Sequence, residues 1–346
     1  MSEATARAFP NIALVKYWGK RDEELILPVA GSLSLTLDSF GTTTTVSADP
    51  SLAADEFELG GTHQHGAALA RVRTFLDLVR ARAGSTTYAR VTSVNEAPTG
   101  AGLASSAAGF AALATAASAV YGLPTDSPAL SRLARRGSGS AARSIVPHTA
   151  IWHAGTSDAT CFAEPVDAPE MAMVIVTVDQ SAKEVSSREA MRRTAATSPY
   201  FRPWCTSTEE SLREMVAACR AGDFTRIGQI TESHALRMHA VIAGCEPPIR
   251  YLRPASIAVF DAVAHLRERG VQAYATADAG PNVAVLVQPG QAETVATELT
   301  GVAGSSRVRV AGAGPGAHLL PRTPPQARAG DHPASAPHAR RSEAGA

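Results

Sequence analysis

The segment from Arg90 to Tyr121 constrains this chain more than any other. A short β-prone stretch, Arg90–Asn95, runs into Pro98-Thr99-Gly100-Ala101-Gly102-Leu103-Ala104-Ser105-Ser106. The alanine-rich run Ser105–Tyr121 follows and is helical by propensity. A helix start leaves its first backbone N–H groups without intrahelical partners, at the positive end of the dipole. Glycines let the preceding loop turn its own N–H groups the same way, which suits a phosphate. Ser105 and Ser106 are placed to cap the helix, bind phosphate oxygen or ligate a metal. The loop is not a Walker A sequence, because no Gly-Lys-Ser/Thr ends it. It is not a dinucleotide fingerprint either, because Ser105 stands at the third glycine position. Taken alone, such a turn is also compatible with a plain N-cap and no ligand.

Composition narrows the classes. With 346 residues, 45% hydrophobic and 18% charged, the chain has material for one large domain or two, and whole-chain disorder is excluded. Lys+Arg and Asp+Glu balance at 32 each, which argues against a bulk nucleic-acid binder. No signal-peptide pattern and no membrane span is expected. The four cysteines show no CxxC pairing, so a zinc ribbon or disulfide framework is not expected, and a reduced, cytoplasmic setting is. Only three of the 32 basic residues are lysine: Lys16, Lys20 and Lys183. Asparagine is equally rare, at Asn11, Asn95 and Asn282. A chain this biased toward arginine keeps lysine where a compact ammonium is needed. The cluster Asn11 to Lys20 is therefore a pointer to a site.

The element pattern is α+β, with strands grouped and helices grouped. Residues 11–48 read as strands, and the strict alternation of Ser32–Leu37 predicts a half-buried one. Helices are expected at Leu69–Arg82, Ser127–Arg136, Ser186–Thr197, Ser207–Ala221, Phe224–His239, Ser256–Arg269 and Glu293–Leu299. Met171–Asp179 reads as a buried strand, Val271–Ala277 and Val283–Val287 as a pair flanking a Gly-Pro turn, and Ser306–Ala311 as the last strand. A boundary near 180 divides 1–180 from 181–320, and the Pro/Ala/Arg-rich tail 321–346 is expected to be disordered.

The loop pattern Pro-x-x-x-Gly-Leu-x-Ser-Ser-Ala resembles the phosphate loop of the GHMP kinase superfamily. Asn11-Ile-Ala-Leu-Val-Lys16-Tyr17-Trp18-Gly19-Lys20-Arg21-Asp22 narrows the resemblance to the diphosphomevalonate decarboxylase family. So do Gly137-Ser138-Gly139-Ser140-Ala141-Ala142-Arg143-Ser144, Val185-Ser186-Ser187-Arg188-Glu189-Ala190-Met191 and Asp278-Ala279-Gly280-Pro281-Asn282. The matches come in the family's order and span residues 11 to about 316.

The resemblance implies a GHMP kinase fold. That is a ribosomal-protein-S5-like N-terminal α+β domain and a ferredoxin-like C-terminal domain, with the site between them and a homodimer as the assembly. It implies that Asp278 acts on the 3-hydroxyl of mevalonate diphosphate, with Lys16 beside it and Ser105 in a catalytic role. Ala13, Tyr17, Lys20, Ser138, Ser140, Arg143, Ser187, Arg188 and Ala279 would bind substrate. Asn95, Pro98, Gly100, Gly102, Leu103, Ala104, Ser105 and Ser106 would bind ATP, with Mg²⁺ carried by the nucleotide and helped by Ser105 or Ser106. On residues alone, Asp278 in Asp-Ala-Gly-Pro is also ordinary turn chemistry. Arg135 and Arg136 read as a solvated basic helix end, His63 and His65 as a surface loop, and His239 as structural or near the site.

Two segments depart from the family pattern: Val29-Ala30-Gly31, and Ile145-Val146-Pro147-His148-Thr149 where the family has an aromatic–Gly-Gly–aromatic run. If the second borders the substrate, the pocket is altered there. That departure motivates a rival reading, a decarboxylase or 3-kinase for another 3-hydroxy acid. A non-catalytic nucleotide-binding homologue is a further one.

Overall fold

The computed structural model describes residues 2–96, 105–179, 181, 184–303 and 307–321. The tail from 322, Lys183 and the loop 97–104 lie outside them. The first half runs β1 (Ser2–Ala8), β2 (Asn11–Val15), β3 (Lys20–Asp22), β4 (Leu27–Pro28), β5 (Ser32–Thr36), β6 (Thr42–Ala48), β7 (Glu56–Leu59), β8 (Thr62–His63), α1 (Gly66–Ala83) and β9 (Ala89–Asn95). It continues through α2 (Ser105–Tyr121), α3 (Ser127–Gly137), α4 (Ala141–Ser144), β10 (Thr149–Trp152) and β11 (Ala163–Pro165). The second half is β12 (Ala172–Val176), α5 (Ser187–Thr197), α6 (Phe201–Ala221), α7 (Phe224–Ala243), α8 (Pro254–Glu268), β13 (Ala273–Thr276), β14 (Val283–Val287), α9 (Ala292–Ala303), β15 (Val308–Ala311) and β16 (His318–Leu319).

Three main sheets result. The first has the order β16-β1-β6-β9-β7-β8, the second β11-β10-β5-β2 and the third β13-β14-β12-β15. Only β7 and β9 pair in parallel among the described strands. Residues 172–176 precede position 180, yet they pair with β14 and β15 in the third sheet. After β15 the chain returns to the first half, bridging Leu37 through Ala313 and pairing β16 with β1.

The cores explain the pattern. Against the first sheet, Val72, Phe75, Leu76 and Val79 of α1 pack with the alanine face of α2 and with Leu130 and Leu133 of α3. The spacing of those α1 residues matches one helical face. The third sheet is buried on both sides, by α6 and α7 on one face and α8 and α9 on the other. Its strands AMVIV and VAVLV accordingly read as unbroken apolar runs.

Strand β5 differs from its expected half-burial, because every residue from Ser32 to Thr36 is buried. Leu33, Leu35 and Leu37 join the core with Met173, Ile175 and Ile227. The alternate polar face is covered too: Ser32 Oγ accepts from Arg143, and Thr36 Oγ1 donates to the Val146 carbonyl at 2.9 Å. The alternation is real, but it separates two buried environments. Strand β1, Ser-Glu-Ala-Thr-Ala-Arg-Ala, carries little β propensity and was not expected. It exists because seven consecutive residues pair with β6. Arg135 is likewise no solvated helix end: it is fully buried, ion-paired to Asp158 and bonded to the Leu25 carbonyl at 3.1 Å. Among the described residues, no helix is long and apolar enough to cross a membrane.

Helix α3 delivers the Ser138–Arg143 segment, and its last residue has no room for a side chain. A Cβ on Gly137 would lie 1.9 Å from Phe110 Cδ1. The same ring lies under the Arg71 guanidinium at 4.5 Å. Gly137→Ala should therefore cost about 1–3 kcal/mol through overpacking, read from urea denaturation of the two proteins side by side.

Candidate active site

Strand β2 loses its register with β5 between Ala13 and Val15, and Lys16 follows directly. Its side chain is 1% exposed, and Nζ donates to the Ala13 carbonyl and to Asp278 Oδ1, both at 2.7 Å. Asp278 sits on the turn between β13 and β14, where Gly280 N–H donates to its carbonyl at 2.7 Å. Burial lowers the Lys16 pKa from its ordinary value, and the Asp278 carboxylate opposes that shift. The result is a buried ammonium and a half-open carboxylate held in contact, with Asp278 facing a cavity of about 290 Å³.

That cavity gathers most of the residues marked from sequence. Ala13, Lys16, Tyr17, Lys20, Ser106, Ser138, Ser140, Arg143, Ser187, Arg188, Asp278 and Ala279 all line it. Five of the lining residues are cations (Lys16, Lys20, Arg71, Arg143 and Arg188), against one carboxylate, Asp278.

Arg143 is 2% exposed and donates to Asn11 Oδ1 at 3.1 Å and Ser32 Oγ at 2.6 Å, with Trp152 beneath it at 5.9 Å. No described carboxylate lies at ion-pair distance from it, and burial pushes its pKa down to about 10. An unpaired buried guanidinium is expensive unless an anion completes it. Asn11 holds the next turn, donating to the Ser140 carbonyl at 3.0 Å and Ser144 Oγ at 2.8 Å. Gly139 lies under the Tyr17 ring, where a Cβ would come within 2.7 Å of the hydroxyl oxygen. Burial holds the Tyr17 hydroxyl protonated, well above its ordinary pKa. Across the cavity, the Ser186 cap accepts from Glu189 N–H at 3.2 Å and starts α5, whose first turn carries Ser187 and Arg188. Lys20 Nζ pairs with Glu23 at 2.6 Å. The arrangement is a hydroxyl, ammonium and guanidinium shell for a polyanion.

A second chamber of about 190 Å³ adjoins it between α1, α2 and the first sheet, sharing Arg71 and Ser106. Asn95 lines this chamber rather than the first, and its Oδ1 accepts from Thr42 Oγ1 at 2.8 Å. Pro98, Gly100, Gly102, Leu103 and Ala104 lie outside the described residues, as does the side chain of Ser105, whose backbone opens α2.

Arg71 was missed from sequence. Its guanidinium donates to the Gly137 carbonyl at 2.8 Å, and burial lowers its pKa to about 10. No motif marks it, because it sits in an ordinary amphipathic helix. Asn11, Lys16 and Lys20, by contrast, all line the cavity, as the rarity of their residue types suggested. The altered segments do not line it. Val146 is buried against Leu27 and Trp152, while Pro147 and His148 are exposed and the loop is held by His148 N–H to the Gly314 carbonyl at 2.9 Å. The condition for an altered pocket, that this loop borders it, is not met at this cavity. His63 and His65 are exposed, and no metal-type cluster of three His, Cys, Asp or Glu occurs among the described residues.

Two buried histidines of α7 flank the couple. Burial holds the His234 pKa down to about 3, with Arg237 and Lys16 adding to the effect, and His239, against the Ala277 and Asp278 backbone, down to about 4. Both are neutral in the folded state, whereas the unfolded chain takes up their protons below about pH 6.5. Stability from these groups is complete above that pH and lost as the pH falls toward 4. Denaturation midpoints at pH 7 and pH 5 should differ accordingly, with a limiting slope of about 1.4 kcal/mol per pH unit for each imidazole.

Comparison with known proteins agrees with this geometry. Residues 8–163 match the diphosphomevalonate decarboxylase-like N-terminal domain, and 173–311 the mevalonate 5-diphosphate decarboxylase C-terminal domain. The diphosphomevalonate decarboxylase of Ganoderma lucidum is 37% identical over 310 residues, covering 82% of this chain and 78% of the relative. The mevalonate diphosphate decarboxylase structure from Staphylococcus aureus superposes with a TM-score of 0.90 at 40% identity, covering 92% of this chain and 98% of the other. A solved complex of the protein MDDEF with MVAPP, AMPPCP and magnesium superposes with a TM-score of 0.88 at 45% identity and the same coverage. Two family models over successive halves, relatives matched along most of their length and a shared fold give one conclusion: the chain belongs to the diphosphomevalonate decarboxylase family and has the GHMP kinase fold.

Proposed function

We propose that this chain converts mevalonate 5-diphosphate and ATP to isopentenyl diphosphate, CO₂, ADP and phosphate. The observation that carries the reading is the Lys16–Asp278 contact of 2.7 Å at the wall of a cavity with a large excess of fixed cations. A diphosphate bears about three negative charges, and Arg143, Arg188, Lys20, Tyr17 and the serines of 138–140 and 187 are the shell to receive it. Arg71 stands where this cavity meets the chamber of Asn95, between substrate and nucleotide.

Asp278 accepts or orients the proton of the tertiary hydroxyl, and Lys16 holds the carboxylate in place and offsets negative charge as the oxygen attacks the γ-phosphate. The 3-phosphate then leaves with its bonding electrons, positive charge builds at C3, and the carboxylate's C–C bond supplies the electrons that form the alkene and release CO₂. Magnesium, when bound with ATP, would neutralise charge on the nucleotide's phosphate oxygens. Among the described residues there is no acidic cage, so the donor set fits an ion carried mainly by the nucleotide phosphates, with Ser105 or Ser106 adding a hydroxyl.

The proposal extends to organisation: an ATP-binding N-terminal unit within 1–180, a C-terminal unit within 181–320 that also recruits β12, and a homodimer in the cytoplasm. Four unpaired cysteines fit that compartment.

A mass-resolved assay with purified protein, MgATP and mevalonate diphosphate should yield isopentenyl diphosphate with equimolar ADP and CO₂. A product retaining the carboxylate would reduce the protein to a 3-kinase. Asp278→Asn should keep nucleotide affinity within about twofold and lose turnover by about 10²–10⁴-fold, the usual reach of a positioned base. Near-normal turnover would remove Asp278 from the mechanism. Arg143→Lys should raise KM for mevalonate diphosphate at least tenfold, since an ammonium cannot replace the planar fork between Asn11, Ser32 and the anion; an unchanged KM would place the diphosphate elsewhere.

A further inference from the structure

Lys16, Tyr17 and Trp18 have left the second sheet, so their backbone groups need partners from outside it. Helices α6 and α7 provide them. Lys16 N–H donates to His234 Nδ1 at 3.1 Å, and the Trp18 carbonyl accepts from Trp204 Nε1 at 3.0 Å. The two side chains are linked: His234 Nε2 lies 3.3 Å from Thr208 Oγ1, which donates to the Trp204 carbonyl at 2.7 Å. The rings of Trp204 and His234 pack with centroids 4.6 Å apart. All these groups are buried.

The directions of these bonds follow from chemistry. A backbone N–H can only donate, so His234 Nδ1 must carry its lone pair. The proton then sits on Nε2 and goes to Thr208 Oγ1, whose own hydrogen is spent on Trp204. The imidazole is therefore a fixed acceptor, neutral in one tautomer. Its ring approaches Lys16 from the backbone side, and five residues on, His239 of the same helix packs against Ala277 and Asp278. Helix α7 thus touches both partners of the ion pair, which come from opposite ends of the chain.

We propose that His234 is a positioning residue for Lys16. Its Nδ1 holds the lysine backbone where β2 breaks, so that Nζ meets Asp278 and the reacting oxygen rather than turning away. His234 touches no cavity surface and so acts only through Lys16. The inference rests on the catalytic reading of the Lys16–Asp278 couple, but the placement itself can be tested without turnover.

Three variants separate hydrogen bonding from packing. H234N puts an amide oxygen close to the Nδ1 position and loses the ring. H234Q keeps a polar atom near Nε2 but offers Lys16 nothing. H234L fills the space and offers no acceptor. Turnover is measured with MgATP and mevalonate diphosphate. H234N should keep kcat within about threefold of wild type, while H234Q and H234L lose at least about tenfold, with KM for both substrates changed less than threefold. Equal kcat in all three variants, whether high or low, overturns the proposal. If H234L does not fold, the contrast between H234N and H234Q decides.

A second readout is independent of activity. Because the chain has only three lysines, NMR of ¹³Cε-lysine protein resolves Lys16, assigned with K16R. The apparent pKa of Lys16 should move by at least about half a unit in H234Q and stay put in H234N. An unmoved Lys16 signal in H234Q overturns the assignment even if the enzyme proves inactive on mevalonate diphosphate. Wild-type inactivity together with the expected NMR contrast would instead remove the functional reading and leave the placement standing.

Discussion

A single ion pair organises this molecule. Lys16 leaves an N-terminal strand, Asp278 stands on a C-terminal turn, and their charged atoms meet at 2.7 Å. A lysine buried to 1% exposure cannot stay charged without compensation, since desolvation lowers its pKa. Asp278 and the Ala13 carbonyl supply that compensation, so the two halves of the chain must close on one another for the ammonium to be tolerated. The shared core of the second and third sheets, with Leu35, Met173, Ile227 and Leu286 in one cluster, supplies the apolar stabilisation that keeps them closed.

At Arg143 and Arg71 the same electrostatic theme appears without a carboxylate partner. Arg143 is as deeply buried as Lys16 but has only neutral partners, Asn11 and Ser32. Arg71 rests on Phe110 and a carbonyl, and the charge of Arg188 lowers its pKa further. Buried cations without a carboxylate partner are unfavourable, and an anion at this wall would relieve them. Beside this cationic wall the Tyr17 ring lies against Gly139 and packs edge-on to Trp152, with centroids 4.9 Å apart.

Family membership and local departures are reconciled by geometry. The unusual Ile145–Thr149 segment lies behind β5, bonded to Thr36 and Gly314, and takes no part in lining the cavity. A loop that supports a strand from its far side tolerates proline and histidine, provided its carbonyls still meet their donors. Lys16, Tyr17, Lys20, Ser138, Ser140, Arg143, Ser187, Arg188 and Asp278 all remain on the cavity wall, and the substitution reads as scaffold variation.

Much of this was legible in the sequence. Helix faces such as Val72, Leu76 and Val79, and apolar strands such as Ala172–Val176, follow from periodicity and propensity, which are local properties. Segments that line the cavity were marked too, the glycine–serine segments and the Asp-Ala-Gly-Pro turn through a family resemblance and the lysines through their rarity, whereas on its residues alone that turn is ordinary turn chemistry. Tertiary structure decided everything that depends on what lies opposite. It made a strand of Ser2–Ala8 by pairing, buried both faces of Ser32–Thr36, and turned Arg135 from a surface residue into an anchor for Asp158. It brought Arg71 to the junction of two chambers, turned residues 145–149 away from the site and set His234 under Lys16 across 218 positions. Propensity acts between neighbours in the chain, whereas burial, ion pairing and the pKa shifts they cause act between neighbours in space, and only the folded chain defines those.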